Sequence, residues 1–232
     1  MQFTPPLTPG TLHRRYKRFL ADITLGTGEE ITAHVANPGA MTGLAEPGSA
    51  VWLSRSDDPK RKLKWSWQLA TGTSGALVCV NTGLTNTLVA EGLAAGAIPT
   101  LKQAGPARRE VKVGDSRLDF QLGEDCFVEV KAVTLSRQPG LAEFPDAKTA
   151  RGVKHLKELA QLRQQGFRAA MLYVAMRDDC TRFQIARDID LAYDEGLKHA
   201  VEAGVEVITA VITASPEGLV LQKNRTLDWN EL

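Results

Sequence analysis

Apolar and polar residues alternate in short bursts over the first eighty positions, and turn residues separate the bursts. This pattern predicts strands rather than helices. One long strand is expected from Leu12 through Ile23 and Leu25, then the turn Gly26-Thr27-Gly28 and a strand at 31–35. Asn37-Pro38-Gly39 and Pro47-Gly48 bracket an irregular stretch, and further strands are expected at 51–54, 63–70 and 76–80. Five short strands in about 70 residues fit a small closed barrel. After Asn81-Thr82-Gly83 the period changes. Residues 86–95 read as an Ala/Leu-rich helix, capped by Asn86 or Thr87 and stopped by Gly96. Strands are expected at 109–113, 117–122 and 127–133, followed by a polar loop and a helix over 147–165, capped by Asp146 and ended by Gly166. An apolar strand at 169–176, a helix at 191–203 and a buried strand at 205–212 complete the order. The expected fold is mixed α/β, with a small β-barrel over 1–82 and an α/β domain with a mixed central sheet over 83–232.

Composition narrows the class. Hydrophobic residues at 43% and charged residues at 24% exclude disorder, collagen-like repeats and coiled coil. No apolar run approaches the roughly 20 residues of a membrane span, and the first residues lack a basic-then-apolar signal region, so a cytoplasmic protein is expected. Cys79, Cys126 and Cys180 are odd in number and never form a CxxC pair, which argues against a disulfide framework or a thiolate zinc site.

The net charge of +1 conceals a gradient: residues 1–80 hold nine Lys and Arg against six Asp and Glu, and residues 81–232 hold nineteen against twenty-one. The cations of the first part come in two bursts, Arg14-Arg15-Tyr16-Lys17-Arg18 and Lys60-Arg61-Lys62-Leu63-Lys64-Trp65-Ser66-Trp67. Cations bind phosphates and aromatic faces stack on bases, so Arg15, Lys17, Arg18, Lys60, Arg61, Lys62, Lys64 and Trp65 are candidate nucleic-acid contacts. Solvated strand edges have the same composition, because Lys discourages edge-to-edge pairing.

The densest chemistry lies in Ser116-Arg117-Leu118-Asp119-Phe120-Gln121-Leu122 and Cys126-Phe127-Val128-Glu129-Val130-Lys131-Ala132, both of period two. A turn at 123–125 pairs Leu122 with Cys126. Continuing that register sets Asp119 opposite Glu129 and Arg117 opposite Lys131, and keeps the apolar sets on one face. Opposed carboxylates repel unless a cation lies between them. A hard divalent ion, Mg²⁺ or Mn²⁺, suits such oxygen ligands, and Lys131 beside it could orient an attacking water or hold a phosphate oxygen. Glu91 on the preceding helix is a further candidate ligand. The following helix offers Lys148, Arg151, Lys154 and His155 to phosphates. A cross-strand charge ladder on a solvated face is the competing reading of the same four strand residues.

Asp119 with Glu129-Val130-Lys131 on adjacent strands resembles the D…(D/E)xK signature of PD-(D/E)xK restriction-endonuclease-like nucleases. Further stretches extend along the chain: Arg18-Phe19-Leu20-Ala21-Asp22, Asn37-Pro38-Gly39-Ala40-Met41, Asp58-Pro59-Lys60-Arg61-Lys62-Leu63, Arg109-Glu110-Val111-Lys112 and Phe144-Pro145-Asp146-Ala147. With the strand pair, they resemble the sugar fermentation stimulation protein A family over nearly the full length. The resemblance implies a cytoplasmic bacterial protein with an N-terminal OB-like barrel and a C-terminal nuclease-like domain, binding DNA and linked to sugar utilisation, with maltose the implied sugar. It places an active site on Asp119, Glu129 and Lys131, with Glu91 and Arg109-Glu110 as companions. Pro38 stands where the family has Thr in an Asn-Thr-Gly turn, and Ala132 where Asn follows the lysine.

Three functions follow as expectations. The first is a DNA-binding protein with a Mg²⁺-dependent phosphodiesterase site, the second a regulator that binds DNA without cutting it, and the third a sugar or nucleotide binding module, which only the versatility of small barrels supports. No helix-turn-helix pattern is present, so weak sequence preference is expected.

Overall fold

The computed structural model describes residues 1–102 and 104–229. Its first part folds from β1 (Thr8–Tyr16), β2 (Leu20–Leu25), β3 (Glu30–Val35), β4 (Ala50–Arg55), β5 (Trp65–Thr71) and β6 (Leu77–Cys79). Neighbours run β3-β2-β1-β4-β5, and parallel pairing of β3 with β5 closes these five strands into a barrel. The strand β6 extends the sheet beyond β5. The alternation read in the sequence is the inside and outside of this wall. In β2 every second residue, Ala21, Ile23 and Leu25, is buried, and these pack with Leu12, Val35, Val51, Leu53 and Trp67 in the barrel interior.

The single long strand expected from Leu12 to Leu25 is a hairpin instead. Tyr16 pairs with Leu20, and the residues at the tip, Lys17 and Arg18, have φ of 47° and 65°. Side-chain-bearing residues adopt this left-handed region at a cost, so Lys-Arg carries none of the Asn-Gly signal that marks such a turn. Pairing on both sides holds the turn, as does Arg15, whose Nε donates to the Arg18 carbonyl at 3.0 Å.

The second part comprises α1 (Thr85–Ala94), β7 (Ala107–Val113), β8 (Ser116–Leu122), β9 (Cys126–Val133), β10 (Leu135–Gln138), β11 (Leu141–Phe144), α2 (Ala150–Gln164), β12 (Arg168–Ala175), β13 (Arg182–Ile185), α3 (Leu191–Glu202), β14 (Glu206–Ser215), β15 (Gly218–Leu221) and β16 (Asp228–Trp229). A mixed sheet runs β15-β14-β12-β9-β8-β7, with β9, β12 and β14 parallel and the outer strands antiparallel. A second sheet runs β10-β11-β13-β16. Its first two strands replace the polar loop expected after Val133. They are strands because Leu135, Leu141 and Ala142 are buried, while the charges that suggested a loop satisfy one another, Arg137 Nη2 meeting Glu143 Oε1 at 2.7 Å.

Both helix caps expected near the site also differ. The helix α1 begins at Thr85, after Leu84 and without a side-chain cap, so Asn86 and Thr87 lie inside its first turn and the Asn86 amide is free to donate to Asp119. The helix α2 is capped by Thr149, whose Oγ1 accepts from the Gly152 N–H at 3.1 Å, and Asp146 lies ahead of it against the barrel. Leu156, Leu159 and Leu162 of α2 and Tyr193 and Leu197 of α3 cover one face of the central sheet. On the other face, Leu88 and Val89 of α1 join Phe120, Val128 and Leu172, and the barrel's Leu69 and Cys79 belong to this same apolar cluster. All three cysteines are free and buried. No helix among the described residues is long and apolar enough to cross a membrane.

Candidate active site

The central strand β9 lies between β12 and β8, with Met171 opposite Glu129 and Tyr173 opposite Lys131 on the β12 side. Towards β8 the ladder pairs Leu122 with Cys126, Gln121 with Phe127 and Phe120 with Val128, which is the register the apolar pattern selects. There the ladder ends. The Asp119 side chain takes the main-chain donor the next pairing would use: its Oδ2 accepts from the Val130 N–H at 2.8 Å, and Oδ1 accepts from Asn86 Nδ2 at 2.6 Å. The expected Asp119–Glu129 and Arg117–Lys131 pairs are both absent from the ladder, and Arg117 pairs only with β7, opposite Lys112. The parting strands leave Asp119, Glu129 and Lys131 together at the mouth. The bond to the Val130 N–H holds the Asp119 carboxylate against the residue after Glu129, and burial, and then the charge of Glu129, push the Asp119 carboxyl up to about 6.

Glu129 is 2% exposed, and its two oxygens have different surroundings. Oε1 receives Lys131 Nζ at 2.7 Å and His155 Nδ1. Oε2 is buried without a hydrogen-bond partner. Burial alone would raise this carboxyl, but the hydrogen bond from His155 and the charge of and hydrogen bond from Lys131 outweigh it, and the group titrates below its ordinary value. His155 is itself buried on α2, and Arg151 Nε lies 3.4 Å from its Nε2. Arginine can only donate, so Nε2 accepts and Nδ1 carries the proton facing Glu129. An orphaned, buried carboxylate oxygen beside a second, half-buried carboxylate is a set that a hard cation completes. Among the described residues no cage of three or more His, Cys, Asp or Glu side chains is formed.

A cleft of about 440 Å³ adjoins this mouth between the barrel and the second part. The barrel contributes Arg18 and the turn Asn37-Pro38-Gly39, and the other wall contributes Ala132, Thr134 and the segment from Phe144 to Arg151. Met41 N donates to Asp146 Oδ2 at 3.4 Å across the junction, and a Cβ on Gly39 would meet that carboxylate at 2.0 Å, so only glycine permits this approach.

The structure thus brings together Asp119, Glu129 and Lys131, with Arg18, Lys148 and Arg151 in the adjoining cleft. Other expected residues lie elsewhere. Glu91 is not a third ligand: it pairs with the Met1 ammonium at 2.8 Å, because α1 turns that side chain to the terminus. Arg109 and Glu110 lie exposed on edge strand β7, with β8 between them and β9. Lys154 points away, donating to the Asp115 carbonyl at 3.1 Å, one helical step off the face that carries His155. Arg15 is spent on the carbonyls of Arg18, Asn37, Gly39 and Ala40 and braces the barrel loops. Lys64 reaches the Asp58 carbonyl, Arg61 reaches Ser66 Oγ, and Trp65 is half-buried against the barrel core. Lys17, Lys60 and Lys62 remain exposed. The sequence pattern sets His155 on a polar phosphate-facing side, whereas the side chain is buried against Glu129. Its spacing from Gly152 and Leu159 already put it at the edge of the apolar stripe, which was the available signal.

Comparison with known proteins adds two domain matches and a set of relatives. Residues 14–80 match the family described as SfsA N-terminal OB domain, and residues 83–218 match that described as Sugar fermentation stimulation protein RE domain. A protein of Ruegeria sp. (strain TM1040) called Sugar fermentation stimulation protein homolog is 52% identical over 224 residues, covering 94% of this chain and 97% of the relative. One of the same name from Rhodospirillum centenum is 49% identical over 232 residues, covering 98% and 99%. Among solved structures, that of Pyrococcus furiosus SfsA in complex with Ca²⁺ superposes with a TM-score of 0.88 at 25% identity, covering 100% of this chain and 98% of the other.

Proposed function

This chain belongs to the sugar fermentation stimulation protein family, and from that premise we propose that it is a cytoplasmic DNA-binding protein whose second half hydrolyses phosphodiesters with the help of a divalent ion. The observation that carries the reading is Glu129 Oε2, a buried carboxylate oxygen without a partner beside Asp119. Leaving such an atom bare costs free energy, and a cation offsets that cost. Asp119 and Glu129 would hold Mg²⁺ or Mn²⁺, two carboxylates and water being the usual provision for such ions. The relative from Pyrococcus furiosus, described in complex with Ca²⁺, supports a divalent ion in the family. When bound, the ion supplies Lewis-acid polarisation of a phosphate oxygen. The chain's own residues do the rest. Lys131 keeps two further donors free once one meets Glu129, enough to hold a phosphate oxygen or orient an attacking water. Asn86 and the Val130 N–H fix Asp119, and His155 fixes Glu129. Arg18, Lys148 and Arg151 receive the DNA backbone in the cleft, and Lys17, Lys60 and Lys62 add charge on the barrel. DNA binding also provides the setting in which a family named for sugar fermentation could act on gene expression.

Incubation of linear and supercoiled DNA with Mg²⁺ or Mn²⁺ tests this. Nicking or degradation is expected, and Lys131→Ala should abolish it while a gel-shift assay still shows DNA bound. DNA left intact with every ion and substrate form would assign the chain to the binders that do not cut.

A further inference from the structure

The sequence placed the base-stacking aromatic at Trp65, but that ring is half-buried against the barrel core. Among the described residues, the exposed aromatic is Phe19, 43% exposed, immediately after the strained turn at Lys17 and Arg18. Its place is fixed from both sides. The Phe19 carbonyl accepts from the Val35 N–H at 2.9 Å, and Leu20 pairs with His34. Two residues past Val35 comes Asn37, which lines the cleft, as Arg18 does from the hairpin tip. The cleft also includes Ala132, the residue after Lys131. Its three cations thus have an exposed aromatic next in the chain to Arg18 and the candidate catalytic amine next in the chain to Ala132. Asp146, the acid in this wall, has its carboxylate turned to the Met41 N–H and Gly39 and does not confront a phosphate freely.

We propose that this surface is a track for an unpaired nucleic-acid strand, with Phe19 stacking on a base outside the cleft and Arg18, Lys148 and Arg151 taking successive phosphates inside it. Two physical facts select a single strand. A base within a duplex has both faces covered by its neighbours, so Phe19 could stack only on one that is unstacked. A cleft of about 440 Å³ is the size of a small-ligand pocket, which can take in a single backbone but cannot enclose a paired duplex. The inference takes its location from the hydrolase reading and names the substrate form that reading requires: a strand end or unpaired stretch rather than an intact helix.

The test uses the full chain in EDTA, so that nothing is cut, with a short fluorescent single strand and a blunt hairpin duplex of the same sequence, each made as DNA and as RNA. Anisotropy should show at least one single strand binding about tenfold or more tighter than its duplex, and 2-aminopurine in that strand should be quenched on binding. Phe19→Ala should weaken the single strand about fivefold or more and remove the quench, since stacking on an aromatic contributes at least that much per base. Phe19→Trp should restore both, and Val220→Ala, which alters an exposed apolar residue on the distant strand β15, should change neither. Equal affinity for strand and duplex, or full affinity and quench in Phe19→Ala, would overturn the proposal. The two readings fail separately: intact DNA in every ion would leave the strand preference measurable, and loss of the preference would leave cutting measurable.

Discussion

One oxygen of Glu129 collects two donors and the other collects none, and His155 does much to produce that asymmetry. A carboxylate held by a single flexible lysine could rotate and share its donors between both oxygens. With the imidazole fixed in the core of α2, rotation would break a buried hydrogen bond, so Oε2 stays bare and directed. His155→Ala should therefore weaken Mn²⁺ binding about 10- to 100-fold, the usual consequence of removing a group that orients a ligand, as read by electron paramagnetic resonance titration. His155→Asn, which keeps a donor, should recover part of the loss. An unchanged titration in His155→Ala would show that Lys131 alone fixes the carboxylate. Arg151 belongs to the same unit: it sets the tautomer of His155 and also lines the cleft, so its removal should disturb both metal and DNA.

At the scale of elements, the β1–β2 hairpin shows a local conflict between stability and use. Two residues with side chains sit at positive φ in its turn, a conformation that costs of order 1 kcal/mol or more at each. Replacing Lys17 and Arg18 together by Asn and Gly should raise stability by about 1 kcal/mol in urea denaturation, because those residues accept the turn without strain. DNA affinity should fall in the same protein, because two cations are lost at the tip. The same turn marks the limit of what the sequence disclosed. The barrel, the central strands and the β8–β9 register from Leu122–Cys126 to Phe120–Val128 were legible because each rests on period-two burial, which any strand between a core and solvent must display; the Asp119–Glu129 pair beyond it was not, because the Asp119 side chain takes the Val130 N–H. The hairpin was hidden because tertiary pairing imposes a turn its own residues disfavour. The strands β10 and β11 were hidden because Arg137 and Glu143 neutralise each other in a place that looks solvated in the linear text. Of the site, the three central residues could be read from the strands, whereas His155 and Phe19 depend on which helix face and which loop tip the folded chain brings near them.

For the whole molecule, the junction of the two parts is a second structural centre. Arg177, 3% exposed, donates from Nε and Nη2 to Asp179 at 2.6 Å each and from Nη1 to the Thr134 carbonyl, while Ser74 on the barrel's β5–β6 turn hydrogen-bonds the same Asp179. The hydrogen bonds from Arg177 hold the Asp179 carboxyl down to about 2. An acid whose folded value lies below its unfolded one adds stability above the unfolded value near 4 and forfeits it as pH falls through about 2. Thermal melts should thus show Asp179→Asn less stable than the parent by about 2 kcal/mol at neutral pH, since a buried guanidinium loses its partner. The gap should narrow between pH 4 and 2, where the parent's own Asp179 takes up a proton; a constant gap over that range would show that the clamp carries no ionic contribution. The apolar cluster seals the same junction, with Leu69 and Cys79 of the barrel packed among Phe120, Val128 and Leu172. Neither half owns that oily layer outright. Severed near Asn81, each fragment would present a raw greasy face to water and seek its former mate or clump, so this protein cannot be borrowed in pieces: whatever inherits the α/β half must inherit the barrel with it.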